Sequence, residues 1–188
     1  MISFLSSFFF IFFAEMGDKT QLVALSFATK LKPLKVVLGI FIGTIVSHLM
    51  AVLIGQNLNL IIPLRYLKVV IGLSFIAFGV WTLKGDTLDD RGGKKQSRLG
   101  PIMTVAIAFF LAELGDKTQL ATISLSAQYR SFLGVWIGST VGMVAADSLA
   151  IILGVIAGKK LPEKAIKYAS ALNFVIFGLA ILFEALKK

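Results

Sequence analysis

Two copies of one acidic hexapeptide contain the residues of this sequence that are best suited to chemistry. The first copy, Glu-Met-Gly-Asp-Lys-Thr, occupies residues 15–20, and the second, Glu-Leu-Gly-Asp-Lys-Thr, occupies residues 113–118. Each copy offers two carboxylates, a hydroxyl and a following glutamine, which are oxygen ligands that suit Mg²⁺, Mn²⁺ and Ca²⁺. The candidate metal ligands are therefore Glu15, Asp18, Thr20, Gln21, Glu113, Asp116, Thr118 and Gln119.

The charges of the two hexapeptides also favour a cation. Their four carboxylates and two lysines, Lys19 and Lys117, sum to −2, which one divalent ion would neutralise. Within each copy the Glu and Asp are three apart and are therefore expected to be neighbours on one helix face, with each Lys four residues after its own Glu on that face. The intervening Gly tolerates positive φ, and Asp can cap a helix that restarts after a break. The alternative to a cation site is a purely structural role, in which Glu–Lys pairs and Asp caps fix the packing of the helices.

The rest of the chain has the composition of an integral membrane protein. Hydrophobic residues make up 57% of 188 positions and charged residues 15%, outside the range of soluble domains. Cysteine is absent, so a metal would have to be held by oxygen or by the single histidine. The net charge of +9 comes from Lys and Arg between long apolar runs, which indicates membrane topology and not nucleic-acid binding.

Six apolar segments are long enough to cross a bilayer as helices, which takes about 20 residues each. The sequence thus predicts an all-α fold with transmembrane helices at about 3–27, 35–56, 64–83, 102–127, 132–157 and 164–186. A shift of 98 residues superposes the two hexapeptides, and a shift of 99 places Gly39 on Gly138 and Gly43 on Gly142. We therefore expect a three-helix repeat at 1–83, a polar cytoplasmic linker at 84–100 and a second repeat at 101–188.

Basic residues indicate how these spans are oriented, because Lys and Arg beside short loops are retained in the cytoplasm. Each repeat has an odd number of spans, so the second repeat enters the bilayer from the opposite side. The first, third and fifth loops contain twelve basic residues, against five on the opposite face. The sequence therefore predicts inverted repeats with both termini outside the cytoplasm. The twelve basic residues of the first, third and fifth loops are Lys30, Lys32, Lys35, Lys84, Arg91, Lys94, Lys95, Arg98, Lys159, Lys160, Lys164 and Lys167. The five on the opposite face are Arg65, Lys68, Arg130, Lys187 and Lys188.

Inverted repeats are typical of secondary transporters, whose sites lie near the bilayer midplane. Glu15 and Glu113 each fall about 12 residues into a span, about 18 Å deep in a core of about 30 Å. The two hexapeptides can therefore meet at one depth. Asp147 and His48 align under the shift of 99 and lie mid-span. Asp147 is a further candidate ligand, because intramembrane acids are costly, and His48 could carry protons or contribute a ligand.

At these residues the chain resembles the Gdt family of cation/proton antiporters, which includes Golgi manganese and calcium transporters and small bacterial manganese exporters. The hallmark is a duplicated E-x-G-D-K/R-T/S motif, and both hexapeptides satisfy it. The resemblance implies export of Mn²⁺, with Ca²⁺ as a second candidate, from the cytoplasm in exchange for protons or another cation, with Glu15, Asp18, Glu113 and Asp116 as cation-binding carboxylates. It implies no enzymatic activity and no cofactor. The lack of a targeting extension before the first span fits a bacterial inner membrane protein.

Two other functions remain open at this point. Six-span exporters of small organic cations or amino acids also have pseudo-symmetry, but their sites have apolar or aromatic walls around few polar groups. Two intramembrane aspartates could also indicate an aspartyl protease, although such proteases use dissimilar motifs and here each aspartate is followed by a lysine. The sequence does not rank Mn²⁺ against Ca²⁺ and is silent on the oligomeric state.

Overall fold

A computed structural model describes residues 1–84, 100–156 and 163–186, and the regular secondary structure within these ranges is helical. Most of the expected linker, residues 85–99, lies outside the described residues, as do the basic residues at 91–98, 159–160 and 187–188. The helices are α1 (Ile2–Glu15), α2 (Lys19–Ala28), α3 (Pro33–Ile61), α4 (Leu64–Lys84), α5 (Pro101–Glu113), α6 (Lys117–Tyr129), α7 (Phe132–Ile151) with a π-helical turn (Ile152–Ile156), and α8 (Glu163–Leu186).

The six predicted apolar segments are all helical in the described residues, but the first and the fourth are each divided in two. Helix α1 ends at Glu15 and α2 begins at Lys19, while α5 ends at Glu113 and α6 begins at Lys117. Gly17 and Gly115 lie in the two breaks with φ of 79° and 75°, a conformation that other residues rarely adopt. The expectation that Glu and Asp share one continuous helix face is therefore wrong, and the expected break is present in both copies.

Large apolar side chains cover the exterior, and several ionisable side chains are buried, unlike the usual arrangement in a water-soluble protein. Large apolar side chains face outward, with Phe9 52%, Leu111 60% and Phe183 61% exposed, whereas Glu15 and Glu113 are fully buried. By length and composition, Pro33–Leu58 and Phe132–Val155 can each cross a bilayer. Shorter apolar helices lie at Ile2–Glu15, Pro101–Glu113 and Ala171–Leu186. This arrangement shields the carboxylates behind an apolar exterior.

Helices from the two halves of the chain pack closely through the predicted glycine faces. A Cβ on Gly138 would lie 2.5 Å from the carbonyl oxygen of Phe4, and one on Gly142 would lie 2.5 Å from that of Phe8. The contact moves four residues forward along α7, from Gly138 to Gly142, as it moves four residues forward along α1, from Phe4 to Phe8. Helices α1 and α7 therefore run parallel. Helices α3 and α5 also run parallel, because Gly39 lies against the carbonyl oxygen of Ile102 and Gly43, four residues later, lies against that of Ala106. Small residues thus bring each half's backbone against the other's.

The third helices of the two halves, α4 and α8, run antiparallel to each other. Gly72 of α4 lies against Gly178 and Leu182 of α8, whereas Gly79, farther along α4, lies against Ala171, earlier in α8. Aromatic rings pack the centre of this contact region. Phe10 of α1 stacks on Phe75 of α4 with ring centroids 4.8 Å apart, and it meets Phe174 of α8 edge to face. Helix α1 is thereby anchored beside both third helices, with its acidic end pointing to the interior.

Candidate functional site

The break between α1 and α2 positions the first hexapeptide deep inside the molecule. Glu15 is the last residue of α1 and is fully buried, and the hydroxyl of Thr20 donates a hydrogen bond to its Oε1. The backbone N–H of Gly17 donates to Oε1 of Gln21 at 2.8 Å. A broken helix leaves backbone donors without helical partners. Gln21 therefore serves as a brace for the turn that carries the carboxylates.

The break between α5 and α6 has the same local structure. Thr118 donates to Oε2 of Glu113 at 2.9 Å, and the N–H of Gly115 donates to Oε1 of Gln119 at 2.7 Å. Asp116 occupies the N-cap position of α6, with its Oδ2 at 3.4 Å from the Thr118 hydroxyl. The two copies fold alike because they carry the same residues at the same spacing.

An ion pair joins the two hexapeptides directly. The ammonium of Lys117 lies 3.1 Å from Oδ1 of Asp18, and both side chains are almost fully buried. The expectation that each lysine pairs with the Glu four residues before it assumed a continuous helix, and the break removes that geometry. Lys117 instead reaches across to the acidic residue of the other copy. The pairing expected for Lys19 concerns a side chain outside the described part of the structure.

The glutamine that follows each hexapeptide makes one hydrogen bond to the opposite half of the chain. The amide nitrogen of Gln21 donates to the carbonyl oxygen of Ala146 at 3.2 Å, and that of Gln119 donates to the hydroxyl of Ser47 at 3.1 Å. Residues 47 and 146 are 99 positions apart, so the two bonds are equivalents of one another. Sequence reasoning missed this bracing role of the glutamines, although their matched positions directly after each hexapeptide were a visible signal.

His48 and Asp147 directly follow Ser47 in α3 and Ala146 in α7, the two residues that these bonds engage. Both side chains are fully buried, and among the described residues neither the ring nitrogens of His48 nor the carboxylate oxygens of Asp147 have a hydrogen-bond partner. The carboxylate of Glu15 interacts electrostatically with four others, those of Asp18, Glu113, Asp147 and Asp116. The fold thus gathers acidic groups from α1, α5 and α7 and from both breaks into one buried region.

The gathered carboxylates do not form a ready coordination cage in this conformation. Within the described residues, no three carboxylate or imidazole groups are placed to hold one metal ion. One oxygen of Glu15 and one of Glu113 accept a hydrogen bond from a threonine, and one oxygen of Asp18 pairs with Lys117. The arrangement is an acidic cluster whose members lie close together and are held by hydroxyl and ammonium groups.

Comparison with known proteins identifies what kind of protein carries this cluster. The model of the GDT1 family of divalent cation/proton antiporters matches residues 3–90 and 101–188. The chain belongs to the GDT1 family. GDT1 proteins are transporters and not enzymes, so the protease interpretation is wrong. The family description names divalent cations and protons, and it therefore also argues against amino acids and organic cations as substrates.

Relatives of this GDT1 protein come from bacteria and from plants. It is 38% identical to the "Putative manganese exporter" of Vibrio cholerae, with 90% of this chain and 85% of the relative covered. It is 39% identical to GDT1-like protein 5 of Arabidopsis thaliana, with 91% of each chain covered. It is 30% identical to the chloroplastic protein PAM71 of the same plant, over 96% of this chain but 56% of the relative. No solved structure matches the chain significantly.

Each of the two segments that match the GDT1 model contains one hexapeptide. Residues 15–20 lie in the first segment and residues 113–118 in the second. The ion pair of Lys117 with Asp18 therefore joins the two segments that match the GDT1 model. The hydrogen bonds of Gln21 to Ala146 and of Gln119 to Ser47 also join them. The region where the two GDT1 segments interlock is the place where the acidic residues concentrate.

Proposed function

We propose that this protein exports Mn²⁺, with Ca²⁺ as a second substrate, from the cytoplasm in exchange for protons. Membership of a family of divalent cation/proton antiporters supports this reaction. The name of the Vibrio cholerae relative supports manganese as the ion, and the bacterial source of that relative supports a bacterial inner membrane as the location. Carboxylate and hydroxyl oxygens suit either ion.

The observation that carries the proposal is the interlocking of the two hexapeptides. Two motifs that are 98 residues apart in sequence meet through an ion pair of 3.1 Å, and Glu15 in one interacts with Glu113 and Asp116 in the other. Buried acidic groups are costly and seldom serve packing alone. A shared cation site explains why the two copies lie next to each other.

The proposed architecture is six transmembrane helices arranged as two inverted three-helix repeats, residues 1–83 and 101–188, joined by the linker at 84–100. In this arrangement equivalent helices run in opposite directions, and the antiparallel packing of α4 on α8 supports that. The parallel pairs α1 with α7 and α3 with α5 also fit it. The twelve-to-five distribution of basic residues supports termini outside the cytoplasm.

In the proposed mechanism, carboxylates from both halves bind either a divalent cation or protons. The ligands are Glu15, Asp18, Glu113, Asp116 and Asp147, with further oxygens available from Thr20, Thr118, Gln21 and Gln119. Loading with metal requires the threonine hydroxyls to turn away from the glutamates and the carboxylates to converge. Because carboxylates must be deprotonated to bind metal, protons compete with the cation. Movement of one half against the other then exposes the site to each side in turn.

The test is transport by the purified protein in sealed liposomes with a fluorescent pH indicator inside. An inward Mn²⁺ gradient should drive protons outward from wild-type vesicles, and repeating it with Ca²⁺ ranks the two ions. Glu15→Gln and Asp116→Asn should each abolish this coupled movement. Glu184→Gln, which changes an exposed carboxylate in α8, is the matched control and should retain it. Full coupled transport by both site variants would contradict the shared site.

A further inference from the structure

Lys117 is placed where a cation is needed when no metal is bound. Its side chain is 7% exposed and its ammonium lies 3.1 Å from Oδ1 of Asp18, whose side chain is fully buried. Removing two charges from water is costly, and their attraction repays the cost only in favourable surroundings. A buried ion pair is thus weak evidence for stability, and its presence at the acidic cluster calls for another reason.

The surroundings of this ion pair are strongly acidic. Glu15, which belongs to the same hexapeptide as Asp18, interacts electrostatically with Asp18, Glu113, Asp147 and Asp116. A positive charge in that cluster lowers the repulsion among carboxylates that are shielded from water. The ammonium of Lys117 and a bound divalent cation would meet the same electrostatic need at the same carboxylate.

The position of Lys117 in the fold also suits a mobile charge. Lys117 is the first residue of α6 and follows directly on the break at Gly115, and it pairs across to the other half of the chain. Lysine carries a compact charge on a flexible four-carbon stem, so the ammonium can withdraw without a large backbone movement. The ion pair is therefore a contact that can open when a competing cation arrives.

We propose that the ammonium of Lys117 is a tethered counter-ion, which occupies Asp18 while the site is empty and which the transported divalent cation displaces. This inference rests on the proposed function. Competition with the ammonium weakens metal binding enough for release on the far side. In the metal-free protein the ammonium also offsets part of the negative charge inside the bilayer while the site switches from facing one side of the membrane to facing the other.

The experiment measures Mn²⁺ affinity of the purified full-length protein in detergent, from the electron paramagnetic resonance signal of free Mn²⁺. Lys117→Met removes the competing charge and should tighten Mn²⁺ binding at least about tenfold, which corresponds to about 1.4 kcal/mol. Lys117→Arg keeps the charge and should bind Mn²⁺ within a few-fold of wild type. Lys68→Met is the matched control, because it opens another ion pair between the halves, Lys68 with Glu184 at 3.0 Å, outside the acidic cluster.

A purely structural role predicts the opposite change in affinity. If the pair only held the hexapeptides in place, Lys117→Met would leave Mn²⁺ affinity unchanged or weaken it, and that result would overturn the inference. Lys117→Gln carries the same test if the Met variant does not fold. Failure of both neutral variants to fold, with the Arg variant folded, would also overturn it. A wild-type protein that binds no Mn²⁺ would contradict the proposed function itself, so the two failures are distinguishable.

Discussion

The hydroxyl of Thr44 lies 3.6 Å from the sulfur of Met143, and these two residues are equivalents of one another, 99 positions apart. The rings of Phe75 and Phe174, also 99 apart, have centroids separated by 6.1 Å. A residue meets its own equivalent only near an axis that relates the two copies. Two such meetings, one between α3 and α7 and one between α4 and α8, favour a two-fold relationship through the centre of the molecule. The cross-contacts of Gln21 and Gln119 then occur as a pair for the same reason.

Gly115→Ala should lower the thermal stability of the protein in detergent. Gly115 has φ of 75°, where a residue with a Cβ costs about 1–2 kcal/mol, and nothing lies within 4 Å of the position a Cβ would take. The cost is therefore conformational and not steric. Gly115→Asn is the matched control, because asparagine adopts this conformation more readily, and it should destabilise less. Equal losses in both variants would indicate a steric cause.

Gly142→Ala should separate α7 from α1 and reduce both stability and transport. A Cβ there would lie 2.5 Å from the carbonyl oxygen of Phe8, and a backbone atom cannot move aside as the end of a side chain can. Overpacking of this kind costs about 1–3 kcal/mol. Thermal unfolding measures the effect, and Val141→Ala, one position along the same helix and exposed, should change it little. A stability of Gly142→Ala equal to wild type would show that the helices can separate freely.

Gln119→Leu should impair transport, and more strongly than Gln56→Leu, although Gln119 lies outside the hexapeptide. The change leaves the N–H of Gly115 and the hydroxyl of Ser47 without their partner, and the loss at the fully buried Ser47 costs about 1–3 kcal/mol. The second broken turn then loses its connection to α3. Gln56→Leu is the control, since Gln56 makes only long bonds, of 3.3 and 3.4 Å, to Ser126. Liposome flux together with thermal unfolding would measure both effects, and equal behaviour of the two variants would count against the brace.

Asp147→Asn should stabilise the metal-free protein while weakening Mn²⁺ binding. Among the described residues the carboxyl group of Asp147 is fully buried, lies near Glu15 and has no hydrogen-bond partner on either oxygen, so a neutral amide avoids the cost of ionising a group in this buried acidic region. As a proposed ligand its loss should weaken Mn²⁺ binding about tenfold or more, or about 1.4 kcal/mol. Ser139→Ala, a buried polar change in the same helix, should leave Mn²⁺ affinity unaltered. A variant that is both less stable and unaltered in affinity would assign Asp147 to packing.

Much of the local structure could be predicted from the chain alone. The helical segments follow from apolar runs of sufficient length, and the breaks follow from the glycine within each hexapeptide, which adopts positive φ. The close helix contacts at Gly138 and Gly142 follow from their spacing of four. These features depend on neighbours within one or two turns, so the order of residues suffices to specify them.

The partners of the charged and amide groups were decided only by the tertiary structure. Spacing of four placed Lys117 beside Glu113, whereas the fold places its ammonium on Asp18, 99 positions away in the chain. Similarly, nothing local indicates that Gln119 would reach Ser47 or that Gln21 would reach Ala146. Long side chains at a helix break can turn in several directions, and the choice among them depends on which helices the packing of the two halves brings alongside.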